Sequence, residues 1–280
     1  MNDSIRELKL MANTIRRDII DIAYKAQGPS HPGPALSCTD IVTALYFDIM
    51  RVDPDNPQWE NRDRLVLSKG HACPVIYSAL AEKGYFPKEW LETVRRVGSH
   101  LQGHPDMKKT PGVDMTSGSL GNGLAAALGM AVYLKHEGKS SQVYCILGDG
   151  EIQEGQVWEA SMFAAAKKLD NLVVIVDNNN LQIDGTIEEV NSPYPIPEKF
   201  AAFGFHVIEI DGNDLDAIDA ALAEARTVKG KPTAIVQKSV KGRGVSFMEN
   251  QCSWHGSAPN DEQYEQAMAE LTATLKELEG

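Results

Sequence analysis

Two polar segments of the sequence carry side chains that could bind a metal ion and a phosphate group. Asp149, in a Gly-Asp-Gly turn, offers a carboxylate, and Asn179, in a later run of three asparagines, offers an amide oxygen. The turn that follows can direct the backbone carbonyl of Leu181 toward the same point. Three hard oxygen ligands that leave room for phosphate and water suit an octahedral Mg²⁺ ion. Gly150 would let the backbone approach the ligand closely, so the pattern indicates a diphosphate held through a divalent cation.

The elements around these two segments predict that the segments lie side by side. The apolar runs 143–147 and 172–176 read as buried strands, and residues 154–169 between them have the length and composition of an amphipathic helix. A strand-helix-strand unit of this kind has parallel strands. Both polar segments then follow the carboxyl ends of neighbouring strands, where open α/β sheets bind ligands.

The whole chain is predicted to be one α/β domain over residues 1–280, with a doubly wound, mainly parallel sheet and helices on both faces. It has 280 residues, 42% of them hydrophobic, and no linker, repeat or low-complexity tract divides it. Further β-rich runs at 205–210 and 233–236 continue the alternation of strand and helix. The formal charge of −12 argues against nucleic acid or an anionic membrane as a partner.

The compartment is expected to be the cytoplasm. The four cysteines lie far apart, at positions 38, 73, 145 and 252, and are expected to be reduced packing residues. The first ten residues carry charges throughout, and no apolar run is long enough to span a bilayer.

At the start of the chain, residues 4–26 have the apolar spacing of an amphipathic helix that ends near Gly28-Pro29. Ser37 and Asp40 have the spacing of a capping box, which predicts a second helix over 40–50.

Four histidines lie in predicted loops or at predicted helix starts: His31, His71, His104 and His255. Taken singly, each is more often a surface or capping residue than a catalytic one. Lys241 lies in a Lys-Gly-Arg-Gly segment whose glycines would let the lysine approach a phosphate, although a solvated basic loop is the commoner explanation.

The order and spacing of these segments resemble one protein family. Gly148-Asp149-Gly150, 27 intervening residues and then Asn178-Asn179 resemble the thiamine diphosphate motif, and residues 177–185 resemble transketolase. The segments around the four histidines match the same family in order and across nearly the whole length. Ser30 departs from the pattern, which usually has glycine before the first histidine. The chain therefore resembles the amino-terminal, thiamine diphosphate-binding domain of transketolase, as a separate chain.

The resemblance implies roles for the polar residues. His31 and His104 would contact hydroxyl and carbonyl oxygens of the substrate, and His71 and His255 would lie nearer the cofactor, with His255 also counted among the catalytic groups. Lys241 would add positive charge at the diphosphate, and Ile183 would press on the thiazolium ring. The remaining implied cofactor and metal contacts, the latter to Mg²⁺ or Ca²⁺, are Gly118, Ser119, Leu120, Asp149, Gly150, Asn179 and the Leu181 carbonyl.

Three glutamates near the Gly-Asp-Gly turn are assigned differently. Acidic residues at a helix start are favoured by the helix dipole, which is the plain explanation for Glu154 and Glu159. Their offsets match family glutamates that link paired active sites through a buried proton network, so the resemblance implies that role. Glu151 has no such match and is expected to face solvent.

The implied activity is transfer of a two-carbon ketol unit from a ketose phosphate to an aldose phosphate. The implied cofactor lies between two domains, and the second domain supplies the glutamate that activates it. We therefore expect a separate subunit that carries the pyrimidine-binding and carboxy-terminal domains, in an α₂β₂ assembly. Alternatives are a dihydroxyacetone synthase-like enzyme, the α subunit of a 2-oxo acid dehydrogenase, which would lack this histidine set, and a non-catalytic cofactor-binding regulatory subunit.

Overall fold

The computed structural model describes residues 3–26 and 30–279, and its centre is a five-stranded parallel sheet. The strand order is β1-β2-β3-β5-β4, and every neighbouring pair is parallel. The strands are β1 Arg64–Leu67, β2 Val143–Gly148, β3 Leu172–Asn178, β4 His206–Asp211 and β5 Thr233–Lys238.

Helices occupy both faces of this sheet. They are α1 Asp3–Lys25, α2 Pro32–Leu36, α3 Thr39–Ala44, α4 Cys73–Lys83, α5 Asn122–His136, α6 Gly155–Ala166, α7 Ile187–Asn191, α8 Ile196–Ala202, α9 Leu215–Thr227 and α10 Asp261–Glu279. A π-helical turn, Leu45–Ile49, continues α3. Short 3₁₀ turns cover Gly70–Ala72, Lys88–Thr93, Glu151–Gln153 and Cys252–His255.

Alternate residues of the strands face two separate apolar cores. Tyr144 and Ile146 of β2 pack with residues of α1, α3, α4 and α9. Cys145 and Leu147 of the same strand pack on the opposite face with α5, α6 and α8. Strands β1, β2, β3 and β5 are mostly buried on both faces, which explains why they read as continuous apolar runs, whereas the edge strand β4 is half-buried to exposed. The predicted doubly wound sheet is confirmed.

The β2-α6-β3 unit has the predicted order of elements, but α6 is apolar on most of its circumference and is not the amphipathic helix that was expected. Its two strands are adjacent and parallel, and their register pairs Gly148 with Asp177. The Gly-Asp-Gly turn and the asparagine run therefore begin at the same edge of the sheet, side by side.

Two local predictions for the first part of the chain have different outcomes. Helix α1 has nearly the predicted bounds, but its expected end at Gly28-Pro29 lies outside the described residues. The capping box is wrong, because α3 begins at Thr39 and has no side-chain cap. The Ser37 hydroxyl instead donates to Asp177 Oδ2 at 2.5 Å, and Asp40 forms an ion pair with Arg16. Both side chains therefore bind residues that are distant in sequence and do not cap the helix.

The state of the cysteines and the character of the helices were also predicted from the sequence. All four cysteines are free, and all but Cys252 are buried, as expected for packing residues. Within residues 3–26 and 30–279, no helix has the length and apolar character needed to cross a membrane.

Candidate functional site

A cavity of about 560 Å³ opens at the carboxyl edge of the sheet, where the loops after β1, β2, β3 and β5 meet. It brings together most of the residues that the sequence singles out. Those lining it are His31, His71, Gly118, Leu120, Asp149, Gly150, Glu154, Asn179, Leu181, Ile183, Lys241 and His255.

Three predicted residues lie outside the cavity lining. The ring of His104 is exposed and lies against Gly118, where an added Cβ would be 3.1 Å from its Cγ, so this histidine is at the rim. Ser119 is exposed within the loop that also carries Gly118, and Glu159 is exposed on α6.

Asp149 is fixed by two backbone N–H groups. Its Oδ2 accepts from Asn180 N at 2.6 Å and its Oδ1 accepts from Gly150 N at 2.8 Å, and the residue is only 2% exposed. Burial, and then the nearby charge of Asp177, raise the pKa of Asp149 to about 7 despite these two hydrogen bonds. A cation beside this carboxylate would favour its charged form.

The other two candidate metal ligands are oriented by their neighbours. Asn179 donates from Nδ2 to Asp177 at 3.2 Å, which directs its Oδ1 toward the next turn, where it accepts from Leu181 N at 3.1 Å. The Leu181 carbonyl accepts from Lys241 Nζ at 3.3 Å. Asn180, with a φ of +61°, has a buried Oδ1 that accepts no hydrogen bond.

This donor set fits a hard divalent cation. It consists of carboxylate, amide and carbonyl oxygens, which Mg²⁺ and Ca²⁺ prefer. In the part of the chain that the structure describes, no group of three or more His, Cys, Asp and Glu residues is arranged to hold a metal. A cation at this edge of the sheet would therefore rely on amide and carbonyl oxygens beside Asp149.

A buried ion pair that sequence reasoning missed lies behind these ligands. Lys69 follows β1, and its Nζ lies 2.5 Å from Asp177 Oδ2 and 2.8 Å from the Pro34 carbonyl. Both side chains are almost completely buried. Burial alone would raise the pKa of Asp177, but the Lys69 charge and hydrogen bonds from Lys69, Ser239 and Ser37 outweigh it and lower that pKa. The only sequence signal for this ion pair was that Lys69 and Asp177 each follow a predicted strand.

Three of the four histidines form a cluster on one wall of the cavity. The ring centroids of His31, His71 and His255 are 5.0 to 5.7 Å apart. Lys241 Nζ lies 2.9 Å from His255 Nδ1, so a charged lysine there requires Nδ1 to accept and leaves the proton on Nε2. Burial lowers the pKa of Lys241 to about 8, at which the ammonium still predominates at pH 7.

The histidine rings are neutral at physiological pH. Burial, and then nearby positive groups, lower the pKa of His31 to about 4 and that of His255 to about 3. The same causes bring the pKa of His71 well below its ordinary value. Neutral imidazoles can both donate to and accept from hydroxyl and carbonyl oxygens, which suits a substrate whose oxygens gain and lose protons.

Comparison with known proteins decides the family. The sequence matches the family described as "Transketolase, thiamine diphosphate binding domain" over residues 7–276. The chain belongs to this family. The recognition based on the Gly-Asp-Gly and Asn-Asn segments is therefore confirmed.

Relatives of two lengths match this transketolase-family chain. A 6-deoxy-6-sulfo-D-fructose transketolase subunit from Clostridium sp. strain MSTE9 is 45% identical, over 97% of this chain and 98% of the relative. An apulose-4-phosphate transketolase subunit from Phocaeicola vulgatus is 40% identical, over 98% of this chain and 97% of the relative. The crystal structure of transketolase from Campylobacter jejuni has a TM-score of 0.86 and 31% identity, and this chain spans 99% of its own length but only 46% of that protein.

In this transketolase-family chain, Glu151 differs from its prediction. It does not face solvent but is only 3% exposed. The 3₁₀ turn Glu151–Gln153 returns the side chain toward the surrounding loops, where it accepts hydrogen bonds from Ser68, Gly121 and Gly148. The expectation failed because these donors belong to segments that are distant in sequence.

Proposed function

We propose that this chain is the diphosphate- and metal-binding subunit of a two-chain transketolase, with one such domain over residues 1–280. It would transfer a two-carbon ketol unit from a ketose phosphate to an aldose phosphate. The observation that carries the proposal is the meeting of Asp149, Asn179 and the Leu181 carbonyl at the joined ends of β2 and β3. These three groups would bind Mg²⁺ or Ca²⁺, and the cation would bind the diphosphate of thiamine diphosphate.

Positive charge and apolar surface lie where such a cofactor needs them. Lys241 Nζ is 3.3 Å from the Leu181 carbonyl, so it would contact a diphosphate beside the cation. Ile183 is 67% exposed and lines the cavity, which leaves an apolar surface for the thiazolium ring. A Cβ at Gly150 would lie 3.0 Å from Gln182 Oε1, so any side chain there would have to displace the end of Gln182. Gly118, Ser119 and Leu120 would line the cofactor between its diphosphate and its aminopyrimidine ring.

Two of the histidines would contact the sugar, and the other two would lie against the cofactor. When bound, thiamine diphosphate supplies the nucleophilic carbon that carries the two-carbon unit. His31 in the cluster and His104 at the rim would hold the hydroxyl and carbonyl oxygens of the substrate. His71 and His255 would lie against the cofactor, and His255 would also hold or give a proton through Nε2.

A partner subunit is supported by the surface around the cavity. Exposed apolar side chains lie at the cavity edge and on the adjoining helices α5 and α6, among them Leu120, Val132, Tyr133, Met162 and Phe163. Both helices are apolar on most of their circumference, as in helices that assembly buries. We propose that a chain with the pyrimidine-binding and carboxy-terminal domains covers this surface, in an α₂β₂ assembly.

Two exposed glutamates of α6 and its N-cap support the same assembly. Glu154 lies at the cavity and Glu159 lies one to two turns further along the helix, and neither is buried by this chain alone. Burial against partner subunits would let the two carboxylates join a proton network between paired sites.

The free thiols fit the reducing cytoplasm, where we propose that the complex acts.

Co-expression with the neighbouring genes tests this function. We expect an affinity-tagged 280-residue chain to co-purify with a second chain. The complex should transfer ketol units between sugar phosphates when thiamine diphosphate and Mg²⁺ are supplied, whereas each chain alone should be inactive. Ketol transfer by the 280-residue chain alone would contradict the two-chain proposal. A stable complex that binds the cofactor and transfers nothing would instead indicate a regulatory subunit.

A further inference from the structure

Glu151 is a buried carboxylate that joins three separate loops of the cavity. We infer that it is a positioning residue, which holds these loops in their cofactor-binding arrangement before the cofactor binds. This inference rests on the proposed function, because it assumes that the cavity takes a diphosphate and a divalent cation. It concerns a residue for which the sequence suggested no role.

Each of the three loops donates one hydrogen bond to Glu151. Its Oε1 accepts from the Ser68 hydroxyl and from Gly121 N at 2.8 Å, and its Oε2 accepts from Gly148 N at 3.0 Å. Each donor lies close in sequence to a group proposed to contact cofactor or metal. Ser68 precedes the loop that carries His71, Gly121 follows Leu120, and Gly148 precedes Asp149.

The segments that donate hydrogen bonds to Glu151 are closely packed against one another. A Cβ at Gly123 would lie 2.3 Å from the Ser68 hydroxyl oxygen, so the first turn of α5 presses directly on the loop after β1. Gly121 has a φ of +81°, a conformation that glycine adopts readily and that directs its N–H toward the carboxylate. Without Glu151, buried donors would lose their acceptor, which is unfavourable for the loops that carry them.

A carboxylate meets this need better than an amide does. A carboxylate has only acceptor sites, and the two oxygens of Glu151 accept from all three donors at once. A glutamine would present its NH₂ group either to the Gly148 N–H or to the donors at the other oxygen. In each orientation two donors face each other, and one loop is released from its position.

Glu151→Gln in the two-chain complex tests the inference. We expect the KM for thiamine diphosphate, at saturating Mg²⁺, to rise roughly ten- to a hundred-fold, as when an outer-shell partner of a ligand is removed. The kcat at saturating cofactor and the KM for the sugar should stay within about two-fold of wild type, because Glu151 positions the cofactor cradle and touches no reacting atom. Direct titration of the chain with thiamine diphosphate and Mg²⁺ should show the same loss of affinity.

Two further variants complete the experiment. Ser68→Ala removes one donor and leaves the carboxylate, so the cofactor KM should rise in the same direction but by less. Glu198→Gln, an exposed carboxylate on α8, should leave the KM unchanged. If Glu151→Gln does not fold, the Ser68→Ala variant decides the matter.

Three results would overturn the inference. The first is an unchanged cofactor KM in a folded Glu151→Gln complex, or in the Ser68→Ala complex if the former does not fold. The second is a fall in kcat that saturating cofactor does not restore, which would indicate a role at the reacting groups. The third is a wild-type chain and complex that bind no thiamine diphosphate, and only that result would also overturn the proposed function.

Discussion

Replacing Asp149 with alanine is expected to weaken metal-dependent cofactor binding severely. Asp149 is the one carboxylate among the three proposed ligands, and two backbone N–H groups hold it in place. Loss of an outer-shell partner alone weakens metal binding by 10- to 100-fold, so loss of a direct ligand should weaken thiamine diphosphate binding by roughly 100-fold or more. Calorimetric titration with thiamine diphosphate, with Mg²⁺ and then with EDTA, measures the change.

The exposed Glu188 of α7 provides a control. Glu188→Ala removes one negative charge near the same loop and should bind the cofactor as wild type does. The Asp149→Ala change leaves the Gly150 and Asn180 N–H groups without their acceptor but also relieves the repulsion between Asp149 and Asp177, so the chain should remain folded. If Asp149→Ala keeps Mg²⁺-dependent binding of wild-type strength, the proposed cation site is wrong.

Replacing Lys69 with methionine is expected to give the largest loss of stability. The change leaves Asp177 fully buried and without its cation, and breaking a buried pair in this way costs about 3–5 kcal/mol. The pKa of Asp177 in the folded variant should then rise above its unfolded value. Protonation would favour the folded state, so the variant should regain stability as the pH falls and lose it as the pH rises through that pKa. Urea denaturation at several pH values measures both effects.

A second substitution distinguishes the effect of the unpaired Asp177 charge from the effect of changing the shape of the Lys69 side chain. Asp177→Asn in the Lys69→Met background removes the unpaired charge and should recover part of the lost stability, without the dependence on pH. Lys238→Met, at the exposed end of β5, should have little effect. A Lys69→Met chain as stable as wild type at neutral pH would show that the ion pair contributes nothing to the fold.

The fold and the centre of the site could be predicted because they depend on local patterns. The runs 143–147 and 172–176 are buried on both faces, so their apolar character is continuous in sequence. Parallel pairing of the two strands then brings Asp149 and Asn179 to one edge without further information.

The parts that could not be predicted depend on contacts between distant segments. Lys69 and Asp177 are 108 residues apart, and Ser68 and Glu151 are 83 residues apart. Ser37 and Asp40 have the spacing of a capping box, yet their partners are Asp177 and Arg16. Short-range spacing cannot reveal which of two possible hydrogen-bond partners a polar side chain will take.

The histidine cluster could be predicted only in part. No spacing relates His31, His71 and His255, and only the resemblance to transketolase indicated that they share a site. The structure brings their rings within 5.7 Å of one another but leaves His104 at the rim.

Exchange of the thiazolium C2 proton is the most direct test of the central claim, that this chain binds the cofactor but does not activate it. The exchange of thiamine diphosphate in D₂O, followed by NMR, should be no faster when the cofactor and Mg²⁺ are bound to this chain than when they are free. Addition of the partner subunit should accelerate it by several orders of magnitude, since that subunit would bring the activating glutamate. Fast exchange on the chain alone would contradict the account.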